Sequence, residues 1–346
     1  ERRAADREKK DNPKCQVCEA PVNTGGVFCQ TCRNEPLRIL KFMMEEALKQ
    51  NKQQNNQMLA IAGYRNIKSL GQGGMGAVWL VEEEKTGQQM ALKLMLPQAA
   101  TNERSKAMFL REAFVSGQLN HKNVVRQHKC GRFGDSYFIL MEFCRGGSAD
   151  KLMEKNGGKL SIDLATHITL QVLEGLHYTH NAQVVVTLKD GKNYSTNGVV
   201  HRDFKPGNIF LSDDSARPVA KVADFGLAKA FETAGLSGFS RTGDLSGTPG
   251  FMPRQQIINF RYSKPAVDVW AAASSYYLML TGFLPKNYQG NDAIVVGLNN
   301  DAIPIRNRNS SIPQRLAQVI DTALIEKPEI GFQSAIEFKR MIEKAL

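Results

Sequence analysis

His201-Arg202-Asp203-Phe204-Lys205-Pro206-Gly207-Asn208 is the stretch that decides how the rest of the chain is read. It gathers a carboxylate, an ammonium and an amide. Pro206 and Gly207 keep it in a loop, because neither suits the interior of a helix or strand. Such a loop suits phosphoryl transfer. Asp203 can orient a hydroxyl and accept its proton, Lys205 can neutralise a moving phosphoryl group, and Asn208 can hold Mg²⁺ through its amide oxygen.

Upstream, Tyr64 to Leu70 predicts a strand, Gly71-Gln72-Gly73-Gly74-Met75-Gly76-Ala77-Val78 a glycine-rich loop, and Val78 to Glu83 a second strand. Glycines let a backbone close over phosphates and aim N–H groups at them. The dinucleotide-binding fold uses a similar run, but there the glycines lead into a helix. Here they lead into Val78-Trp79-Leu80-Val81, so a strand–loop–strand flap over ATP is the better reading. Ala91-Leu92-Lys93 then sets one lysine on an apolar strand, and Glu112 lies centrally in a predicted helix from Arg104 to Leu119. Each alone has a bland reading, as a strand-end lysine and a solvated glutamate. Their order after the flap points instead to a phosphate-binding lysine held by a carboxylate. Tyr137 to Phe143 is an apolar strand that breaks at Cys144 into Arg145-Gly146-Gly147. That break suits a hinge between two lobes, its backbone at Glu142 to Cys144 meeting the adenine edge and Met141 at the back of the pocket.

Ile162 to His180 predicts a long amphipathic helix whose His167, His177 and His180 are structural or surface residues, since no carboxylate cluster accompanies them. Gln183 to Asn197 then interrupts the chain before the loop. Its β-prone Val184-Val185-Val186 and the turn signal Lys189-Asp190-Gly191-Lys192 predict an inserted hairpin over 183–197. It is either decoration or a contact for a substrate or partner protein. Downstream, Asp224-Phe225-Gly226 offers Asp224 as a second Mg²⁺ ligand. Gly235 to Gly250, rich in Gly, Ser and Thr, suits a mobile segment, and Val267 to Leu280 predicts a buried core helix.

The N-terminal part is of another kind. Residues 1–14 are dense in charge, and 15–33 carry Cys15-Gln16-Val17-Cys18 and Cys29-Gln30-Thr31-Cys32. Two such pairs supply four thiolates for a closed tetrahedral zinc site, the arrangement of a small zinc ribbon. Disulfides or uncombined thiols are the alternatives, but so short a segment has no other core. With one aromatic, Phe28, and few basic residues in its loop, the module is not expected to bind nucleic acid. Residues 34–62 read as a helical and polar linker, and 63–346 as the main domain.

The 346 residues allow two domains, and 42% apolar with 23% charged residues is ordinary for a soluble globular chain. Residues 1–62 carry +3 of the net +11, so the charge is no basic arm for nucleic acid but a surface favouring anionic ligands. The first residues are charged throughout and no run of about 18 apolar residues exists, so neither a signal peptide nor a membrane span is expected. The cysteine pattern places the chain in the cytoplasm. The start at Glu1 rather than Met points to further sequence upstream.

From Gly71 to Leu346 these motifs together resemble a eukaryotic-type serine/threonine protein kinase, in particular the bacterial branch, to which Gly73-Gly74-Met75-Gly76 and Gly247-Thr248-Pro249-Gly250-Phe251-Met252 both point. The resemblance implies an α+β, bilobal protein-kinase fold, with a small β-rich N-lobe over about 63–143 and a larger helical C-lobe over about 144–346, preceded by the four-cysteine zinc module. Residue by residue it implies a nucleotide site at Gly71, Gly73, Gly76 and Val78 of the flap, Ala91 and Lys93 of the strand, and Met141, Glu142 and Cys144 of the hinge. Lys93 would pair with Glu112, and Asn208 and Asp224 would hold Mg²⁺ or Mn²⁺. Asp268 would bond the catalytic-loop backbone. Lys205-Pro206 and Thr248 are similar to serine/threonine rather than tyrosine kinases. Arg202 before Asp203 implies a phosphate on the activation segment, for which Ser237, Ser240, Thr242 and Ser246 are candidates. Protein substrates follow, and a regulatory partner acting through the zinc module or the hairpin.

There are departures. Pro253-Arg254-Gln255 stands where the family has Ala-Pro-Glu, and Gly331 where it has the buried arginine that pairs with that glutamate. Losing both partners is far cheaper than losing one. The expectation is a softer anchor for the substrate-binding segment, or one that uses Arg254 in another way. The competing reading is a pseudokinase or nucleotide-binding scaffold regulated through the zinc module.

Overall fold

The computed structural model describes residues 15, 18, 20–21, 61, 63–72, 76–133, 136–187, 193–225, 248–259, 264–288 and 292–346. The chain divides into two units, Glu1–Arg65 and Asn66–Leu346. In the first, Cys15 is buried, its N–H donates to the Ala20 carbonyl at 2.7 Å, and Cys18 sits in a turn. Cys29 and Cys32 lie outside the described residues, as do most of the expected zinc module and linker.

An antiparallel sheet, whose first strand begins two residues before the division, opens the main unit. Its strands are β1 (Tyr64–Gln72), β2 (Gly76–Glu83), β3 (Gln89–Met95), β4 (Gln127–Phe133) and β5 (Ser136–Glu142), in the order β1-β2-β3-β5-β4. Met90, Ala91, Leu92, Leu94 and Met95 are buried, so β3 reads as a central strand with Lys93 as its one charge. A short helix α1 (Pro97–Ala100) precedes α2 (Glu103–Ser116), which carries Glu112. The Asn102 side chain caps α2 by accepting from Ser105 N–H at 3.0 Å. The predicted helix ran on to Leu119; the observed one stops at Ser116, before Gly117.

The larger lobe contains α3 (Ala149–Lys155), α4 (Ile162–Asn181), α5 (Arg254–Ile258), α6 (Ala266–Thr281), α7 (Ala293–Asn299), α8 (Gln314–Ala323) and α9 (Ala335–Ala345). The predicted core helix is α6, buried almost throughout, with α4, α8 and α9 packed on it. Several of its hydroxyls find partners inside, though the buried Tyr277 hydroxyl has none among the described residues. Ser275 and Thr281 donate to carbonyls one turn back, and Ser274 Oγ donates to Gly250 O at 3.0 Å. Each fully buried Leu, Val or Phe of this core contributes roughly 1.5–3 kcal/mol. Gly282, at φ +77°, ends α6 in the left-handed conformation that glycine adopts without strain. A small sheet, with β6 (Gly147–Ser148) and β10 (Ala220–Val222) flanking β9 (Ile209–Leu211), frames the loop that holds Asp203.

Between α4 and that loop, β7 (Gln183–Thr187) pairs antiparallel with β8 (Asn193–Asn197) in the register Gln183↔Asn197 to Thr187↔Asn193. Val184 is fully buried in the core. The Gln118 side chain, just beyond α2, accepts from Val185 N–H at 2.9 Å and donates to Val185 O at 3.2 Å. The hairpin is therefore tied to the end of the helix that carries Glu112. Among the described residues no helix is long and apolar enough to cross a membrane.

Candidate active site

In an antiparallel sheet, residues directly opposite one another share a face. The register sets Val78 against Lys93, and Met141 against Ala91. Ala91 and Lys93, two apart, point the same way. Val78, Ala91, Lys93 and Met141 thus share one face of the sheet. Gly76 has a packing reason to be glycine, since a Cβ there would meet Leu94 O at 2.7 Å. Gly71 has none, because no described atom lies within 4 Å of its Cβ position. Gly73 lies outside the described residues.

Lys93 Nζ lies 2.6 and 2.5 Å from the two Glu112 oxygens and 3.7 Å from Asp224 Oδ1. Burial works to lower the Lys93 pKa, but the charges of Glu112 and Asp224 outweigh it and the value is raised. Burial pushes the Glu112 carboxyl up, to about 7, with Lys93 opposing. Both carboxylate oxygens lie against the ammonium, and a protonated carboxyl would aim a proton at it, so the geometry favours the charged pair.

At the hinge, the Glu142 carboxylate turns away from the sheet face. Oε1 accepts from Arg126 N–H at 2.6 Å and lies 3.0 Å from Lys221 Nζ, so the strand end offers a ligand its backbone. Cys144 packs with Val125 and Ala223, and Met141 lies against this cluster. Burial first, then the Glu142 charge, pushes the Cys144 thiol up to about 12, so it stays protonated and apolar at neutral pH.

The loop around Asp203 is held from below. Asp268, wholly buried at the start of α6, accepts from His201 N–H and Arg202 N–H, each at 2.8 Å, and bonds His180 Nε2 at 2.8 Å. Burial alone would raise the Asp268 carboxyl; the His180 hydrogen bond and charge, His201 and Arg202 N–H outweigh it and hold it below the usual range. Arg202 and Asp224 adopt φ of +69° and +66°. Outside glycine such conformations cost about 1–3 kcal/mol each and persist only where neighbours enforce them. For Arg202 both backbone groups are taken, the N–H by Asp268 and the carbonyl by Gln256 Nε2 at 2.6 Å. His201 packs against Phe225, ring centroids 5.0 Å apart, and its Nε2 bonds Ala223 O at 2.8 Å, joining the loop to the Asp224 turn.

Asp203 is the convergence point. Oδ2 accepts from Lys205 Nζ at 2.8 Å, and Oδ1 accepts from Thr248 N–H at 3.1 Å. Lys205 Nζ also donates to Thr248 Oγ1 at 2.9 Å. Asn208 Nδ2 donates to Asp203 O at 2.8 Å, which leaves the amide oxygen as its open acceptor. That oxygen and the Asp224 carboxylate are hard donors of the kind Mg²⁺ takes, so the donor set fits the metal. Ser237, Ser240, Thr242 and Ser246 lie outside the described residues. A groove of about 480 Å³ between α4 and α9, lined by Ile162, His167, Arg217 and Lys339, lies apart from this site and includes none of its residues.

Two parts of the site carried little sequence signal. The structural role expected of His180 holds, but nothing in the sequence pointed to its partner, Asp268. Gln256, a plain amide in a short helix, ties the later segment to the Asp203 loop.

Residues 64–330 match the protein kinase domain family, and the chain belongs to that family. Its relatives include the serine/threonine-protein kinase PknJ of Mycobacterium bovis, 28% identical over 289 residues covering 82% of this chain and 46% of PknJ. PknD of Mycobacterium tuberculosis is 30% identical over 274 residues, covering 79% of this chain and 38% of PknD. The chain thus spans under half the length of these curated relatives. Among solved structures, a double mutant of the Mycobacterium tuberculosis PknI kinase domain aligns with a TM-score of 0.58 at 22% identity, over 82% of this chain and 96% of that one, and shares the fold.

Proposed function

We propose that the chain is a serine/threonine protein kinase, transferring the γ-phosphate of ATP to Ser and Thr hydroxyls of proteins with Mg²⁺ or Mn²⁺ as the metal. The observation that carries this reading is the Asp203 carboxylate braced between Lys205 and Thr248. Asp203 orients the incoming hydroxyl and takes its proton as the new O–P bond forms and the β–γ bridge breaks to release ADP. Lys205, anchored on the same carboxylate, faces the charge on the group in transit. Lys93, fixed by Glu112, steadies the α- and β-phosphates. Asn208 and Asp224 would hold Mg²⁺, which when bound neutralises charge on the transferring phosphoryl group. Lys205 with Thr248 favours the serine/threonine class, as do the names of the relatives.

The test is γ-labelled ATP with the protein alone and with a generic protein substrate, followed by phosphoamino-acid analysis. Label on Ser and Thr is expected. Nucleotide binding with no transfer would replace this reading by the pseudokinase or scaffold.

Around this core we assign an activation step. Arg202 is the counter-charge for a phosphate gained by autophosphorylation at Ser237, Ser240, Thr242 or Ser246; full activity with all four changed to Ala would rule it out. Cys15, Cys18, Cys29 and Cys32 form a structural zinc site in a cytoplasmic protein. About one zinc per chain is expected, lost in Cys29→Ser; a metal-free parent would remove the module. A partner protein that grips the 183–197 hairpin has a path to Glu112, through Gln118 just beyond α2.

A further inference from the structure

The absence of the family's glutamate–arginine anchor has a structural counterpart. A Cβ at Gly331 would lie 1.8 Å from Thr322 O, so with this backbone no side chain, least of all an arginine, fits there. A different pair sits under the same segment. Lys286 and Glu326 have side chains 0% and 1% exposed and meet at 2.6 Å. Lys286 Nζ also donates to Gly297 O at 2.8 Å and stands 5.4 Å from the Trp270 ring. Burial lowers the Lys286 pKa, with Glu326 opposing, as expected of a cation kept out of water by its surroundings.

The pair reaches directly into α5. Glu326 Oε1 accepts from Arg254 N–H at 2.6 Å, and the Glu326 carbonyl accepts from Gln255 Nε2 at 2.7 Å. The Arg254 side chain points elsewhere: Nε donates to Leu298 O, Nη2 stands 3.7 Å from Asp301, and Nη1 and Nη2 are buried with no hydrogen bond among the described residues. Thr248, six residues before Arg254, contacts Asp203 and Lys205, and Gln256 holds the Arg202 carbonyl. The stretch from Thr248 to Ile258 is thus tied at one end to the proton acceptor and at the other to Glu326. Isolated buried ion pairs are poor stabilisers relative to apolar packing, so this one is better explained by what it holds in place.

We propose that Glu326, held by Lys286, is the positioning residue that anchors the substrate-side end of the activation segment, in place of the ion pair this chain lacks. The inference rests on the kinase reading for its functional consequence, though not for the anchor itself. Glu326 acts through Arg254 N–H and touches no substrate. Its removal disturbs the docking of a protein substrate and leaves the nucleotide site intact.

The experiment compares two variants that both remove the buried charges. Lys286→Met with Glu326→Gln keeps an oxygen for Arg254 N–H; Lys286→Met with Glu326→Ala does not. In the second, KM for a protein substrate rises about tenfold or more while KM for ATP moves less than about twofold, and amide exchange over Arg254 to Asn259 accelerates. The first stays near the parent in all three. If the Ala variant does not fold, Lys286→Met with Glu326→Asn, uncharged and one methylene short of Arg254 N–H, serves in its place. Equal substrate KM and equal exchange in the two folded variants would overturn the proposal. Amide exchange is read without catalysis, so a parent that transfers no phosphate defeats the kinase reading while the anchor is still decided.

Discussion

Asp203→Ala is expected to lower phosphoryl transfer by about 10²–10⁴-fold, the range for losing a positioned general base. ATP affinity should stay within a few-fold of the parent, because the Asp203 carboxylate is bonded to Lys205 and Thr248 and not to the sheet face with Lys93. The substitution also releases Lys205 Nζ and Thr248 N–H, so turnover suffers twice while nucleotide binding is largely spared. Asp203→Asn keeps the shape and loses the basic oxygen; it should be nearly as inactive. Labelled-ATP transfer alongside equilibrium nucleotide binding reads both quantities. Transfer within about threefold of the parent would remove Asp203 from the chemistry.

The second large effect falls on the sheet. Lys93→Met leaves Glu112, buried, and Asp224 without the ammonium between them. Transfer efficiency should fall by about 10²–10³-fold, the cost of losing one charged stabiliser of the transition state. Breaking one side of a buried pair also costs up to about 3–5 kcal/mol. Adding Glu112→Gln should return much of that stability, since both charges are then gone, without returning activity. Thermal unfolding and transfer rates measured on the single and double variants separate the two roles. An active double variant would make the Lys93–Glu112 pair a structural feature alone. Lys93→Arg is not expected to rescue, because a planar fork does not fit where a compact ammonium meets two carboxylates.

The candidate site was legible where chemistry fixes residue type and order together. Flap, lysine, helix glutamate, acid loop and Asp224 follow one another in a sequence that packing alone does not impose. The hairpin was legible too, because Lys189-Asp190-Gly191-Lys192 is a turn signal between β-prone runs. Its attachment was not. Gln118 and Val185 are 67 residues apart, and an amide after a helix has no marker for a distant partner. The Lys286–Glu326 pair was invisible for a related reason. Lysine and glutamate are presumed exposed, and these two, 40 residues apart, become wholly buried only once α5, α6 and the segment after α8 close around them. Sequence could register the missing glutamate and arginine, and from that comes the expectation of a softer anchor or another use of Arg254. The backbone of Gly331 against Thr322 shows why the arginine is excluded, and Glu326 shows what stands in that region instead.

The central claim is that Asp203, Asn208 and Asp224 serve one nucleotide beneath the glycine flap. A crystal structure of the protein with Mn²⁺ and a non-hydrolysable ATP analogue, the metal located by its anomalous signal, tests this most directly. The metal should be ligated at about 2.0–2.2 Å by Asn208 Oδ1 and the Asp224 carboxylate, with the terminal phosphate facing Asp203. A nucleotide bound elsewhere, or a metal that neither Asn208 nor Asp224 touches, would contradict the account.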